Sequence, residues 1–390
     1  MNNKFTRFLV LFLSVMVFSC FSVACTPSGK PNDEETVHTH EYSAEYKMDA
    51  SNHWKECTCG EKSDIGAHEY DGIKCACGKY EPTYYSEGLV FELVDNVYTV
   101  VDYIGDGEAV IPATYEGKKV TKIVSFNYSP LTSVVIGDNV KSIGASAFEE
   151  CSSLKSVKMG DKVANIENNA FYKCSALKNI EMKEGVKSIG ANAFGYCSLL
   201  SSVVIPDSVT NVGNAAFAYC NKLERVELGK GITSISASLF DNCKKLDGVV
   251  ISDNIKTIGN NAFNECHALK SIVIPDSVTS IGSQAFNMCK SLEEIEIGKN
   301  VTSIGSLAFF SCSKLKSIVI PASVTSIGYY FVRDCVNLQS IAFENADGWY
   351  MTRESTEWQK REGGTTADLS NAIDNAKIFE VNFYFYWYKK

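Results

Sequence analysis

The sequence has 390 residues, of which 45% are hydrophobic and 21% charged, and its formal net charge is −9. A chain this acidic lacks an overall basic surface that could follow a phosphate backbone, so we expect no nucleic-acid partner. The length alone would allow two or three domains, but a strict internal repeat overrides that estimate because repeat proteins grow by stacking.

Residues 1–24 have the pattern of a secretory signal peptide. Lys4 and Arg7 precede an apolar run from Phe8 to Ala24, and the sequence then changes abruptly to polar and acidic residues. The run is short for a stable membrane span, and small residues precede the expected cleavage point. A retained transmembrane helix is the alternative interpretation.

The stretch SVAC, from Ser22 to Cys25, resembles the lipobox of bacterial lipoproteins. The resemblance implies that Cys25 is lipid-modified and that the mature protein is anchored on the outer face of the bacterial membrane, where several acyl chains make anchoring stable. Ser22 departs from the family pattern, which prefers an aliphatic residue. Cys20 is a poorer alternative because apolar residues follow it, whereas Cys25 begins a polar tether, residues 25–37.

Residues 38–80 form a small module rich in cysteine and histidine. It contains a short repeat of its own: HEY recurs at His40 and His68, and C-x-C-G recurs at Cys57 and Cys75. Clustered thiols and imidazoles, with a glycine for a sharp turn, are typical of a small zinc site. Without a metal or cross-links, the module has too few apolar residues to fold.

We therefore expect a structural zinc ion in a zinc-ribbon-like module, with a histidine replacing one of four thiol ligands. The expected thiol ligands are Cys57, Cys59, Cys75 and Cys77, and either His68 or His53 replaces one of them. Two disulfides between the knuckles are the alternative for an exported segment, and an unstructured linker is the simplest interpretation. The module resembles small histidine and C-x-C-G modules that precede repeats in some clostridial surface proteins.

A 23-residue repeat occupies residues 131–343, after a segment, residues 84–130, that we interpret as an N-terminal cap with a degenerate first repeat. The template is L-x-x-[VI]-x-[apolar]-x-x-x-[VI]-x-x-[VI]-G-x-x-A-F-x-x-C-x-x. Its cysteine recurs nine times, at Cys151, Cys174, Cys197, Cys220, Cys243, Cys266, Cys289, Cys312 and Cys335. Glu167 and Ser236 replace the glycine in two units.

The spacing of the apolar residues within each unit predicts the path of the backbone. The last two apolar places of L-x-x-[VI]-x-[apolar] are two apart, which places both side chains on one face of a short strand. The next two, such as Val278 and Ile281, follow turn residues and predict a turn or a second short strand. Phe286 and Cys289 are three apart, which predicts a single helical or 3₁₀ turn. Each unit is therefore one coil of a solenoid, and coils must stack because one coil alone buries too little.

The period and residue pattern of these units resemble those of the BspA-like class of leucine-rich repeats, found in surface proteins of bacteria and some protozoa. The resemblance covers residues 108–343 and implies a leucine-rich-repeat solenoid of short β-strands stacked coil on coil. It also implies adhesion to a host, matrix or neighbouring-cell surface protein, or to a wall polymer.

The repeated cysteines are predicted to be buried free thiols. Adjacent coils would bring their Cα atoms about 5 Å apart, which a disulfide tolerates, but equivalent side chains of stacked coils run parallel and nine cannot pair completely. Each S–H would instead reach a nearby loop carbonyl, and burial would keep the thiol protonated and inert. The only histidine of the array, His267, follows Cys266; we interpret it as a surface residue rather than a catalytic partner.

Residues 344–390 fall outside the repeat and are rich in aromatic residues. We interpret them as a C-terminal cap over the open end of the solenoid. The alternative is a platform on which aromatic rings stack against sugars.

No motif of the sequence indicates a catalytic site, so we expect a protein that is not an enzyme and has no cofactor in the repeats. A solenoid presents a long, rigid face to partners. The outward places of the first strand of each unit give the candidate binding face: Lys155, Lys158, Glu181, Arg225, Glu227, Glu294 and Glu296. A merely solvated surface, a structural scaffold without a ligand and a carbohydrate-binding protein are the alternatives.

Overall fold

The computed structural model describes residues 85–352, 365–366 and 386–389 and, before residue 85, seven short strands. The chain divides into two compact units, Met1–Tyr84 and Tyr85–Lys390. The strands of the first unit pair antiparallel: β1 pairs with β2, β4 pairs with β3 on one side and with β5 on the other, and β6 pairs with β7. Their bounds are β1 (Ser22–Ala24), β2 (Thr39–Glu41), β3 (Lys47–Met48), β4 (Asn52–Glu56), β5 (Lys62–Ala67), β6 (Tyr70–Asp71) and β7 (Lys74–Cys75).

The second unit is a solenoid of about eleven coils, and a solenoid is the architecture that the sequence predicted. The first strand of each coil contributes to one side, which we call the first sheet. Paired strands of the repeats run parallel with a shift of 23 residues, so that Val203 lies opposite Val226, and the pairing divides this side into four sets of hydrogen-bonded strands. The strands are β10 (Gly107–Ile111), β13 (Leu131–Ile136), β15 (Ser156–Lys158), β17 (Asn179–Ile180), β19 (Ser202–Val204), β21 (Arg225–Glu227), β23 (Gly248–Val249), β25 (Ser271–Ile274), β27 (Glu294–Ile297), β29 (Ser317–Ile320) and β31 (Ser340–Phe343).

A second sheet, in which most strands have only two residues, forms another side of the solenoid. It begins with an antiparallel hairpin of β8 and β9, after which β9 pairs parallel with β12, and β11 (Thr114–Tyr115) pairs with β12. The strands are β8 (Leu89–Val94), β9 (Val97–Tyr103), β12 (Lys118–Ile123), β14 (Ser142–Ile143), β16 (Asn165–Ile166), β18 (Ser188–Ile189), β20 (Asn211–Val212), β22 (Ser234–Ile235), β24 (Thr257–Ile258), β26 (Ser280–Ile281), β28 (Ser303–Ile304) and β30 (Ser326–Ile327).

The third side of each coil is a series of β-turns, where the sequence predicted a helical turn. In one coil the N–H groups of Ala147, Glu149 and Cys151 donate to carbonyl oxygens three residues earlier. Ser146 and Glu150, with φ of 57° and 58°, lie in the left-handed region, and such residues interrupt a right-handed helix. The two equivalent positions have positive φ in all nine repeats, so the prediction of a helical turn was wrong throughout the array.

Alternate N–H groups of these turns donate to the next coil instead of continuing along their own. The N–H of Phe148 donates to the Ala170 carbonyl at 2.7 Å, and that of Phe263 donates to Ala285 at 2.8 Å. The turns therefore act as a third hydrogen-bonded side, and neighbouring repeats are joined there and by strand pairing on at least one of the other two sides.

The core lies inside the coils and is continuous along the array. The apolar places of the template are almost completely buried, and the phenylalanine of each unit stacks on the next, with ring centroids 5.3 Å apart between Phe263 and Phe286. The series begins at Phe126 and reaches Phe309. In the ninth repeat Phe331 is buried one place early, beside Val332.

The second sheet ends in antiparallel strands from the C-terminal segment: β34 (Tyr386–Lys389) pairs with β30, then with β32 (Trp349–Thr352), which pairs with β33 (Thr365–Thr366). Trp349 and Trp387 are each 1% exposed, so these two rings are buried and present no free face to a sugar. Among the described residues, no helix has the length and apolar character needed to span a membrane.

Candidate functional site

The first sheet presents one row of outward-facing side chains along the solenoid. From β15 to β29 the exposed residues alternate with more buried ones, and the parallel register places Val204 beside Glu227 and Val273 beside Glu296. The row takes one residue from each coil. The residues that the sequence selected for the candidate face are all exposed on or beside these strands: Lys155, Lys158, Glu181, Arg225, Glu227, Glu294 and Glu296.

The same row contains exposed valines that the sequence analysis missed. Val250 is 80% exposed, Val204 is 54% exposed, and Val273 and Val319 are each 50% exposed. A run of three apolar residues in a strand, such as Ile272 to Ile274 in β25, was the available signal, because the middle side chain must point away from the core. The face is therefore not purely polar, since apolar side chains separate its carboxylates.

An open groove of about 610 Å³ lies beside this row, where β25 and β27 end. Its apolar wall includes Val273 and Pro275, and three carboxylates line it, from Asp253, Asp276 and Glu296. A groove with an apolar wall and acidic margins fits a long cationic side chain, whose methylene groups pack on the wall while the charge stays at the rim.

One carboxylate of the groove is already paired. The Nζ of Lys299 lies 2.8 Å from Oδ2 of Asp276, and the Lys299 backbone N–H donates to Oδ1 at 2.9 Å. The hydrogen bond from the Lys299 side chain, followed by the one from its backbone, lowers the pKa of Asp276. Asp276 therefore stays ionised, and both groups are well exposed, so the pair is screened by solvent.

The nine repeated cysteines are free and buried. Each Sγ donates to the carbonyl of the phenylalanine-position residue or its equivalent in the preceding coil, as Cys220 does to Phe194 at 3.3 Å. Burial raises the pKa of Cys220 to about 12. Thiols whose pKa is raised in this way are held protonated, the opposite of what a nucleophile or a metal ligand requires.

Cys266 and His267 do not form a catalytic pair. The Cys266 Sγ donates to the Phe240 carbonyl at 3.3 Å, and burial raises its pKa well above the usual range. The Nε2 of His267 lies 3.8 Å from Oε2 of Glu265. Burial, followed by the charge of Lys290, lowers the pKa of His267, so the imidazole is neutral at pH 7.

The predicted sites before residue 85 lie largely outside the described residues. This holds for Cys20, Cys25, Cys57, Cys59, His68 and Cys77, while the structure gives only the strand positions of His53 in β4 and Cys75 in β7. Within the described residues, no group of three or more His, Cys, Asp or Glu side chains is arranged to hold a metal ion.

Solved structures with a similar fold come from bacteria. A leucine-rich repeat protein from Bacteroides ovatus is 27% identical, over 66% of this chain and 88% of that chain, with a TM-score of 0.46. A leucine rich cell surface protein from Faecalibacterium prausnitzii is 26% identical, over 68% and 95%, with a TM-score of 0.40. The pneumococcal vaccine antigen PcpA is 20% identical, over 68% and 82%, with a TM-score of 0.46.

A search among curated proteins gave no match. The family model of the BspA type leucine rich repeat region matches residues 121–247 and 233–347. These two ranges cover more than half of the chain and coincide with the stacked coils. The chain therefore belongs to the BspA-type leucine-rich repeat family.

Proposed function

We propose that this protein is a non-catalytic, protein-binding component of the bacterial surface and that the outward row of the first sheet is its binding face. The observation that carries the proposal is the set of exposed valines on a rigid sheet. Monomeric proteins rarely leave aligned apolar side chains in water unless the surface has a partner. The family is consistent with protein–protein interaction.

The chemistry of the row supports a protein partner. Burying the exposed part of one valine stabilises a complex by about 1 kcal/mol, so several valines in line provide affinity. The intervening charges, such as Glu227 and Glu296, select the partner's orientation through complementary charge. The groove beside Val273 is suited to a lysine or arginine of the partner. We propose a host, matrix or neighbouring-cell surface protein as the ligand.

We further propose that a lipid on Cys25 anchors the mature chain at the bacterial surface. The support is the resemblance of SVAC to a lipobox and the polar tether of residues 25–37 that follows. A lipid-anchored chain would hold the solenoid outside the cell, where a partner on another surface can reach the first sheet.

Replacing Val250 by lysine is expected to weaken partner binding by about tenfold or more, because a charge would occupy the centre of an apolar contact. Val336→Lys is the matched control. Val336 is 79% exposed, close to the 80% of Val250, and its replacement by lysine adds the same charge in a turn outside the row. Binding of purified, surface-displayed protein to a panel of host extracellular-matrix proteins measures the effect. Failure of the unmodified protein to retain any component, or equal loss in both variants, contradicts the proposal.

We also propose one structural zinc ion in residues 38–80. Cys57, Cys59, Cys75 and Cys77 supply the thiolates, with His68 or His53 replacing one. Metal analysis of the purified mature protein is expected to give about one zinc per chain, and Cys57→Ser with Cys59→Ser is expected to abolish it. Protein without zinc whose four thiols are oxidised would show the disulfide alternative to be correct.

A further inference from the structure

A second feature of the first sheet is the charge of the turns that lead into its strands. In each repeat these turns contain the two residues after the cysteine and the two after the following leucine, and they include ten lysine or arginine residues against four acidic ones. We call the ten residues the basic edge. They are Lys155, Lys178, Lys222, Arg225, Lys244, Lys245, Lys270, Lys290, Lys314 and Lys316.

All ten residues of the basic edge are exposed. Lys314 and Lys316 lie 3.5 and 3.9 Å from the same carboxylate, that of Glu293. Within residues 85–352, the structure gives no ion pair to the central lysines, which are Lys222, Lys244, Lys245, Lys270 and Lys290. The middle of the basic edge therefore holds lysine side chains outside any ion pair, although Glu224, Asp247, Glu293 and Glu294 lie in the same turns.

The opposite edge of the same sheet has the reverse balance. The three-residue turns that leave the strands, beginning at residues 137, 160, 183, 206, 229, 252, 275, 298 and 321, contain six acidic residues and four lysines. An excess of positive over negative charge thus lies along one long border of a protein whose net charge is −9. A border of one sign concentrates ions of the other sign along its length.

The spacing of the basic edge matches a linear ligand. Coils joined by strand pairing repeat about every 4.8 Å, so the edge from Lys155 to Lys316 is about 34 Å long. A polymer with charges at regular intervals can follow such a row. No residue in these turns is Phe, Tyr or Trp. Single-stranded nucleic acids, by contrast, are held by aromatic rings on which bases stack.

From this arrangement we propose that the basic edge binds a linear anionic polysaccharide lying parallel to the solenoid axis. The contacts are charge-assisted hydrogen bonds from the lysine side chains to carboxylate or sulfate groups of the polymer. This site is separate from the valine row and does not depend on a protein partner. One molecule could therefore hold an anionic glycan along its edge and a protein on its face.

The test uses the full mature chain on immobilised dextran sulfate, with neutral dextran and oligo-dT of similar length as comparison surfaces. The edge variant carries Lys222→Gln, Lys244→Gln, Lys245→Gln and Lys290→Gln. The control removes the same number of exposed lysines outside the basic edge: Lys162→Gln, Lys187→Gln, Lys230→Gln and Lys256→Gln. Thermal unfolding of all three proteins checks that each is folded.

The unmodified chain is expected to bind dextran sulfate at 0.15 M salt but not neutral dextran. The edge variant is expected to bind about tenfold more weakly or worse, and the slope of log affinity against log salt is expected to decrease by about three to four, one for each lost contact. The control should keep its slope to within about one. Equal losses in both variants, or no binding by the unmodified chain, would overturn the proposal, and equally tight binding to oligo-dT would overturn the polysaccharide assignment.

Discussion

Between pH 8.5 and 10 the solenoid is expected to lose stability steeply. Folding raises the pKa of eight buried thiols, those of Cys151, Cys174, Cys197, Cys220, Cys243, Cys266, Cys289 and Cys312, whereas an unfolded thiol ionises with a pKa of about 8.5. The stability linked to a raised pKa is complete below the unfolded value and is lost as pH rises towards the folded value. Each thiol would cost about 1.4 kcal/mol for every pH unit above its unfolded pKa.

Urea denaturation at pH 7, 8, 9 and 10, with reductant present, measures this loss. The dependence of unfolding free energy on pH should approach the release of eight protons, one for each thiol whose pKa folding raises. Cys220→Ala should reduce that dependence by about one proton even though it also lowers stability at pH 7. A urea midpoint that does not change between pH 8 and 10 would show that the thiols are not buried.

Phe263→Ala is expected to lower the free energy of unfolding by about 3 to 5 kcal/mol. The ring is fully buried and stacks between Phe240 and Phe286, with centroid distances of 5.6 and 5.3 Å. Its removal would leave a cavity that coils tied by hydrogen bonds cannot close. Urea denaturation followed by circular dichroism measures the change.

Two matched variants separate the cavity from other effects of the substitution. Phe263→Leu keeps most of the volume and should cost less than about half as much as alanine. Val250→Ala removes an apolar group from a side chain that is 80% exposed and should change stability by less than about 0.5 kcal/mol. If Phe263→Ala has no more effect than Val250→Ala, the phenylalanine column is not the continuous core that the structure shows.

Glu167 and Ser236, which replace the repeated glycine, show why that position varies. A Cβ built at Gly305 would lie 2.3 Å from the backbone nitrogen of Ser283 in the preceding coil. Glu167 instead extends its carboxylate to the preceding coil, where it accepts hydrogen bonds from the Ser142 hydroxyl at 2.6 Å and the Ala145 N–H at 3.0 Å. Ser236 donates its hydroxyl to the Val212 carbonyl. Side chains here are accommodated when they bond to the neighbouring coil.

The sequence was sufficient for features that each repeat specifies locally. The 23-residue period, the inward residues of the strands and the burial of Phe and Cys all follow from apolar side chains that must leave water, wherever the coil lies in the stack. The same alternation identified outward residues such as Glu227 and Glu296. It missed Val250 because the candidate face was chosen from charged side chains, although Val250 occupies the same outward place directly after β23.

The sequence by itself determined a stack of 23-residue coils with an apolar interior, because every unit repeats apolar residues at the same positions. Only the tertiary structure decided the turns, since a Phe–Cys spacing of three fits a helical turn equally well. In the folded chain the N–H of Phe286 donates to Ala308 of the next coil, while Gln284 and Met288 adopt positive φ. Hydrogen bonds between coils compensate for that backbone conformation, and they exist only after stacking.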